Sequence, residues 1–182
     1  MIQALSFAKK RVPKLKLWIM GPTDEDETYA QECFDLVKAL GVEDVEFTGR
    51  VNVKDYLGKM DFTLLTSISE GQPLTILESY AAHKPVIATD VGNCRELIYG
   101  NDDGFGSAGI LTHIMNIEEI AQAMITMTED QEERERMGEA GYKRVNAFYR
   151  IEQMKDVYRE IYKELSDKQK LTWTEEPFVL RR

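Results

Sequence analysis

Two carboxylates, Glu70 and Glu78, bracket the part of this sequence best equipped for chemistry: Ser69-Glu70-Gly71-Gln72-Pro73-Leu74-Thr75-Ile76-Leu77-Glu78. Glu70 falls on a turn after the apolar run Asp61-Phe62-Thr63-Leu64-Leu65-Thr66, and Glu78 falls inside the helical segment that follows. Gly71 loosens the turn, and Pro73 suits the first helical position, where a missing N–H costs nothing. Leu74, Leu77 and Ala81 recur at helical spacing and are expected to face a core. A helix start offers free backbone N–H groups and partial positive charge, a ready site for a phosphate or diphosphate. A carboxylate about one turn further along can accept hydrogen bonds from neighbouring sugar hydroxyls. Taken singly, Glu70 reads as a capping acid and Glu78 as a solvated helix residue. In their context of strand, Ser-Glu-Gly turn, Pro, Glu and a second strand, they read as a nucleotide-sugar site.

Positioning such a site requires strands that end on one edge and helices that return the chain. The second strand is Pro85-Val86-Ile87-Ala88-Thr89-Asp90. Upstream, residues 1–11 are amphipathic, Leu15–Met20 reads as a strand closed by Gly21-Pro22, and Tyr29–Leu40 as a helix stopped by Gly41. Val45–Thr48 is a strand ending at Gly49-Arg50-Val51, and Asn52 can cap a short helix over 53–59. Downstream come a helix over 94–98, a short strand at 109–111, and helices over 117–128, 131–148 and 151–165. The alternation predicts an α/β fold with a doubly wound parallel sheet and a helical C-terminus. Open sheets of this kind bind ligands beyond the C-terminal ends of their strands, which brings Gly49, Arg50 and Val51 to the same edge as Glu70. Arg50 could approach a phosphate there, or stand exposed on its loop.

Composition narrows the class. The chain has 182 residues, 43% hydrophobic and 30% charged, enough for one sizeable core. A formal charge of −9 argues against a general nucleic-acid binder, which needs a basic footprint. Cys33 and Cys94 are too few and too far apart for a disulfide framework and read as structural thiols. No run is long and apolar enough to span a membrane, and cytosol is the expected compartment. Residues 1–165 are expected to form the nucleotide-sugar domain, and 166–182 a tail.

The stretch from Gly49 to Leu97 resembles the donor-binding segment of retaining glycosyltransferases of family 4, which have the GT-B fold. Within that family, four segments look like the cytosolic glycosyltransferases of Pel exopolysaccharide synthesis. They are Gly21-Pro22-Thr23-Asp24-Glu25-Asp26, Phe47-Thr48-Gly49-Arg50-Val51, Leu65-Thr66-Ser67-Ile68-Ser69-Glu70-Gly71-Gln72-Pro73 and Val91-Gly92-Asn93-Cys94-Arg95-Glu96-Leu97-Ile98. The resemblance implies a UDP-sugar co-substrate, UDP-glucose by preference, with no metal or other cofactor. It places catalytic Glu70 near the reacting carbon and donor sugar, Glu78 on the ribose, and Gly49, Arg50 and Val51 around the base. Backbone N–H groups of Gly71, Gln72 and Leu74, around Pro73, would hold the diphosphate. It also implies a glycan acceptor bound through a separate N-terminal domain, and membrane-bound polysaccharide synthesis proteins as partners. Two departures stand out. His83 replaces the usual Gly after the motif helix, so altered local geometry is expected. The chain also opens on a helix, without the central first strand and its basic residues, so it is expected to be part of a larger transferase.

A non-catalytic nucleotide-binding or partner module is the alternative from another class, and a fragment of a non-hydrolysing UDP-sugar epimerase a third. The run Asp24-Glu25-Asp26-Glu27 has the look of a metal-binding Asp-x-Asp motif, but acids before a helix start are explained by the dipole. Asn101-Asp102-Asp103-Gly104 reads as a surface loop. The stripe Ile151, Met154, Val157, Tyr158, Ile161, Tyr162 and Leu165 is expected to pack on the domain, being too short for a coiled coil.

Overall fold

The computed structural model describes residues 1–169. Its first half runs α1 (Ile2–Ala8), β1 (Leu17–Met20), α2 (Glu27–Leu40), β2 (Val45–Gly49), α3 (Lys54–Leu57) and β3 (Thr63–Leu65). Then follow α4 (Leu74–Ala81), β4 (Val86–Thr89), α5 (Cys94–Tyr99), β5 (Gly109–Thr112), α6 (Ile117–Glu129), α7 (Gln131–Phe148) and α8 (Ile151–Gln169). The chain divides into two compact units, residues 1–146 and 147–182.

All strand pairs in the first unit are parallel, as expected, but they form two sheets rather than one continuous sheet. One has the order β1-β2 and the other β3-β4-β5. Between the edge strands β1 and β3 lies a cavity of about 610 Å³.

β4 is buried along its whole length, which is why it reads as an unbroken apolar run without polar alternation. Ile87 of β4 joins the main core with Ala4, Leu5 and Ala8 of α1 and Ile120, Ala123, Met124 and Met127 of α6. Small alanines let α1 and α6 approach closely, while each fully buried Leu, Ile or Met contributes about 1.5–3 kcal/mol.

Local chemistry sets the helix ends. The Asp26 carboxylate accepts a hydrogen bond from the Tyr29 N–H at 2.9 Å and caps α2, and Gly41 closes that helix in the left-handed region at φ 59°. α4 begins at Leu74, so Pro73 stands just before the helix with ψ 114° rather than as its first residue. The expected core face of α4 is also corrected. Leu74 is 68% exposed and Ala81 is exposed, while Ile76, Ser79 and Tyr80 are buried. A polar Ser79 can face inward because its hydroxyl meets Thr63 Oγ1 and donates to the Thr75 carbonyl, both at 2.8 Å.

α4 ends in a Schellman arrangement. His83 N–H donates to the Tyr80 carbonyl at 3.0 Å and Lys84 N–H to the Ser79 carbonyl at 2.9 Å. His83 takes the left-handed position, φ 56°, that a glycine fills at least cost. Its ring stacks on Tyr142 and lies 3.2 Å from Glu139. α7 closes over α4 through Gly141, where a Cβ would fall 2.7 Å from Tyr80 Cγ.

Asp103 is not the surface loop residue expected. Its side chain is 5% exposed and forms an ion pair with Arg144, which is 1% exposed. Arg144 also donates to the carbonyls of Leu97, Ile98 and Gly106, satisfying its buried guanidinium. In the second unit, the apolar stripe of α8 expected to be packed away is 43–55% exposed from Ile151 to Leu165. The expected tail, 166–182, lies mostly outside the described residues. No described helix is long and apolar enough to cross a membrane.

Candidate functional site

Because every pairing within a sheet is parallel, the loops after β1 and β2 share one edge of their sheet and those after β3 and β4 share one edge of theirs. The loop after β3 carries Glu70. Its half-buried carboxylate accepts a hydrogen bond from the Ser67 hydroxyl at 2.7 Å. The Ser67 carbonyl accepts in turn from the hydroxyl of Thr89, a 1% exposed residue of β4, at 2.5 Å. On the far side, Asn93 N–H donates to the Gly71 carbonyl at 2.8 Å. Gly92 packs directly on the Glu70–Gly71 backbone in the left-handed region, φ 51°, with no room for a Cβ. The Glu70 turn is thus held by neighbouring loops, and its carboxylate is oriented before any ligand arrives.

Ser67, Gly92 and Asn93 belong to the segments that carry the family resemblance, but sequence reasoning gave them no role. The glycine in a polar turn was the available signal. Thr89 gave none, since a Thr ending an apolar strand is ordinary.

α4 positions the other expected residues. Gly71, Gln72 and Leu74 are exposed around its start, where N–H groups and dipole favour an anion, while Pro73 is buried beneath them. Glu78, exposed one turn into the helix, lines a cavity of about 460 Å³ with Val51, Asn52, Val53, Lys54, Leu57, Gly58, Ala81 and Ala82. Of the turn expected around the base, Val51 therefore reaches the Glu78 cavity. Gly49 ends β2 at φ 67° and accepts the Gly21 N–H at 3.1 Å, tying the ends of β1 and β2 together. Arg50 is engaged instead by Glu25 at 2.5 Å, both side chains about two-thirds exposed. A pair so exposed adds little to stability. The structure groups the expected residues into two clusters joined by α4: Glu78 with Val51, and Glu70 with Gly71 beside Gly92 and Asn93.

The charged groups nearby have identifiable partners. Arg95 pairs with Asp90 just beyond β4. In the acidic run, Asp26 caps α2 and Glu25 holds Arg50; among the described residues, no three His, Cys, Asp or Glu side chains gather as a metal site. The Arg144 guanidinium holds the Asp103 carboxyl below the usual carboxylate range. Burial pushes the Cys94 thiol up, so it is an inert packing group at the start of α5.

Comparison with known proteins agrees with the fold. The profile of the family described as glycosyl transferases group 1 matches residues 1–144. N-acetyl-alpha-D-glucosaminyl L-malate synthase of Bacillus anthracis is 34% identical over 149 residues, 81% of this chain and 37% of that protein. The putative glycosyltransferase EpsD of Bacillus subtilis is 28% identical over 175 residues, 93% of this chain and 43% of that protein. This chain thus spans about two-fifths of the length of these relatives. Among solved structures, Anabaena HepE in complex with UDP-glucose superposes with a TM-score of 0.76 at 21% identity, covering 90% of this chain and 44% of that one. The C-terminal domain of the group 1 protein LpcC from Francisella tularensis gives 0.71 at 26%, covering 82% and 77%. With a family match over residues 1–144 and a relative 34% identical over 81% of its length, the chain belongs to the glycosyl transferases group 1 family.

Proposed function

We propose that this chain is the donor-binding part of a retaining glycosyltransferase of family 4. It would transfer a hexosyl group from a UDP-sugar, UDP-glucose foremost, to a growing exopolysaccharide or related glycan. The observation that carries the reading is the placement of two carboxylates by one helix. Glu70 is clamped on the turn before α4 by Ser67, and Glu78 lines a cavity beside Val51. The solved complex of HepE with UDP-glucose, and the group 1 family itself, support a nucleotide-sugar ligand.

In this reading, Glu78 accepts hydrogen bonds from the ribose hydroxyls. The backbone N–H groups around Gly71, Gln72 and Leu74 stabilise negative charge as the UDP leaving group departs. Glu70 sits at the donor sugar and the reacting carbon. The acceptor is bound by a separate N-terminal domain, membrane-bound polysaccharide synthesis proteins receive the product in the cytoplasm, and the 182 residues alone do not turn over. The diphosphate is neutralised without a metal.

The test is steady-state kinetics of the full-length protein with a panel of UDP-sugars. Glu78→Ala should raise KM about tenfold or more with kcat little changed, since hydrogen bonds to a charged acceptor contribute about 1.5–3 kcal/mol in ground and transition states alike. Glu70→Ala should lower kcat by about 100-fold or more. Wild-type kinetics in both variants would sink the assignment, and robust turnover by the 182-residue chain alone would remove the need for a second domain.

A further inference from the structure

The ladder between β3 and β4 ends just short of the loop that carries Glu70. It pairs Thr63 with Val86, Leu64 with Ile87 and Leu65 with Ala88. Thr89, the last residue of β4, pairs with Thr112 of β5 on the other side. On the β3 side its hydroxyl takes over from the ladder and donates to the Ser67 carbonyl at 2.5 Å. The Ser67 hydroxyl donates in turn to Glu70 Oε1 at 2.7 Å. Thr112 supplies the contrast. It is buried in the same row of the sheet, yet its hydroxyl stays within the sheet and meets the Ala88 carbonyl at 3.4 Å. Any buried hydroxyl needs a partner; Thr89 takes one outside the sheet, on the residue that grips the carboxylate. Between Ser67 and Glu70 the chain faces solvent, with Ile68 70% exposed and Ser69 exposed. After Glu70 the backbone is fixed by Gly92 and Asn93. Before it, the fixed point is Ser67.

We propose that Thr89 and Ser67 are positioning residues of the transfer reaction. The buried strand β4 holds Ser67 through the Thr89 hydroxyl, and Ser67 sets the rotation of the Glu70 carboxylate. Thr89 thereby governs turnover without touching the donor. The inference rests on the proposed role of Glu70 at the donor sugar. A reacting group stays within about 0.5 Å of its productive position when the residues behind it are themselves locked by packing and hydrogen bonds. Thr89 meets that condition, being 1% exposed on a strand buried along its whole length. Ser67, half-buried on the loop, does not meet it unaided.

The experiment measures UDP release by the full-length protein, with the best donor of the UDP-sugar panel, in single and combined variants. Thr89→Val keeps the shape of the side chain and removes the hydroxyl, whereas Thr89→Ser keeps the hydroxyl. Thr89→Val and Ser67→Ala should each lower kcat about tenfold or more, with donor KM within about threefold of wild type. Thr89→Ser should keep kcat within about threefold of wild type, and so should Thr112→Val, which removes a buried hydroxyl from the same row. Added to Glu70→Ala, neither Ser67→Ala nor Thr89→Val should lower kcat further, because both act through that carboxylate. Where Thr89→Val does not fold, Ser67→Ala alone and in the Glu70→Ala background decides. Wild-type kcat in Ser67→Ala, beside a slow Glu70→Ala, overturns the inference and leaves the proposed function standing. An equal loss in Thr112→Val, a further loss on top of Glu70→Ala, or a raised donor KM at unchanged kcat overturns it too. Wild-type kcat in Glu70→Ala removes the proposed role of Glu70 and this inference with it.

Discussion

Gly92→Ala tests how the Glu70 turn is held. A Cβ at this position would lie 2.7 Å from the Glu70 carbonyl carbon and from the Gly71 oxygen, and closer still to the Glu70 oxygen. Reaching ordinary contact at 3.4 Å requires the Glu70 carbonyl carbon and the Gly71 oxygen to recede by about 0.7 Å, and the Glu70 oxygen by more. Misplacing a catalytic group by about 1 Å can cost about 100-fold in rate, so under the proposed role of Glu70 kcat of the full-length protein should fall by about 10- to 100-fold. A second cost confuses the comparison: φ is +51°, and left-handed backbone costs a non-glycine residue about 1–2 kcal/mol. Gly104→Ala separates the two, because Gly104 has φ +74° with nothing within 4 Å of the added Cβ. Both variants should lose similar stability from the backbone, whereas only Gly92→Ala should lose turnover. The assay is UDP release under saturating donor, alongside urea unfolding of both proteins. A kcat for Gly92→Ala within about threefold of Gly104→Ala would refute the claim that contact from the β4 loop positions Glu70.

Other outcomes follow from the same structure. Arg144→Met strips partners from a buried Asp103 carboxylate and should destabilise by about 3–5 kcal/mol, read as a lower urea midpoint at unchanged slope; a loss below about 1 kcal/mol would contradict the burial of the pair. The pair also sets a pH dependence. Asp103 has a lowered folded pKa, so its contribution is fully present above the ordinary carboxylate value of about 3.9 and is lost as pH falls through the folded value; unfolding curves between pH 5 and 2 should show this slope in wild type and not in Arg144→Met. Activity of the full-length enzyme should survive excess EDTA, and Asp24→Asn with Asp26→Asn should be nearly silent because Asn caps a helix about as well as Asp. A strict Mg²⁺ or Mn²⁺ requirement abolished by those changes would restore the acidic run as a metal site.

The sequence by itself determined the order and type of the elements, because each carries its signal locally. Val86–Thr89 is apolar without interruption since both faces are covered, and Gly41 stops α2 where only left-handed backbone will close it. It also placed Glu70 on a turn and Glu78 in the helix after it, since a strand, a glycine turn and a proline before a helix can be read from neighbours in sequence. What lay beyond it were relations between residues far apart in the chain. Periodicity put Leu74 and Ala81 on the inner face of α4, but packing against α7 and β3 turned Ile76, Ser79 and Tyr80 inward instead. Asp103 looked like a loop acid until Arg144, 41 positions later, arrived to bury it. The orientation of Glu70 was likewise decided in space: Thr89 holds Ser67, whose hydroxyl donates to the Glu70 carboxylate, and Gly92 and Asn93 hold the Glu70–Gly71 backbone. Local sequence fixes which backbone conformations are cheap, whereas the partner of a buried polar group is chosen only when distant segments compete for it in the folded chain.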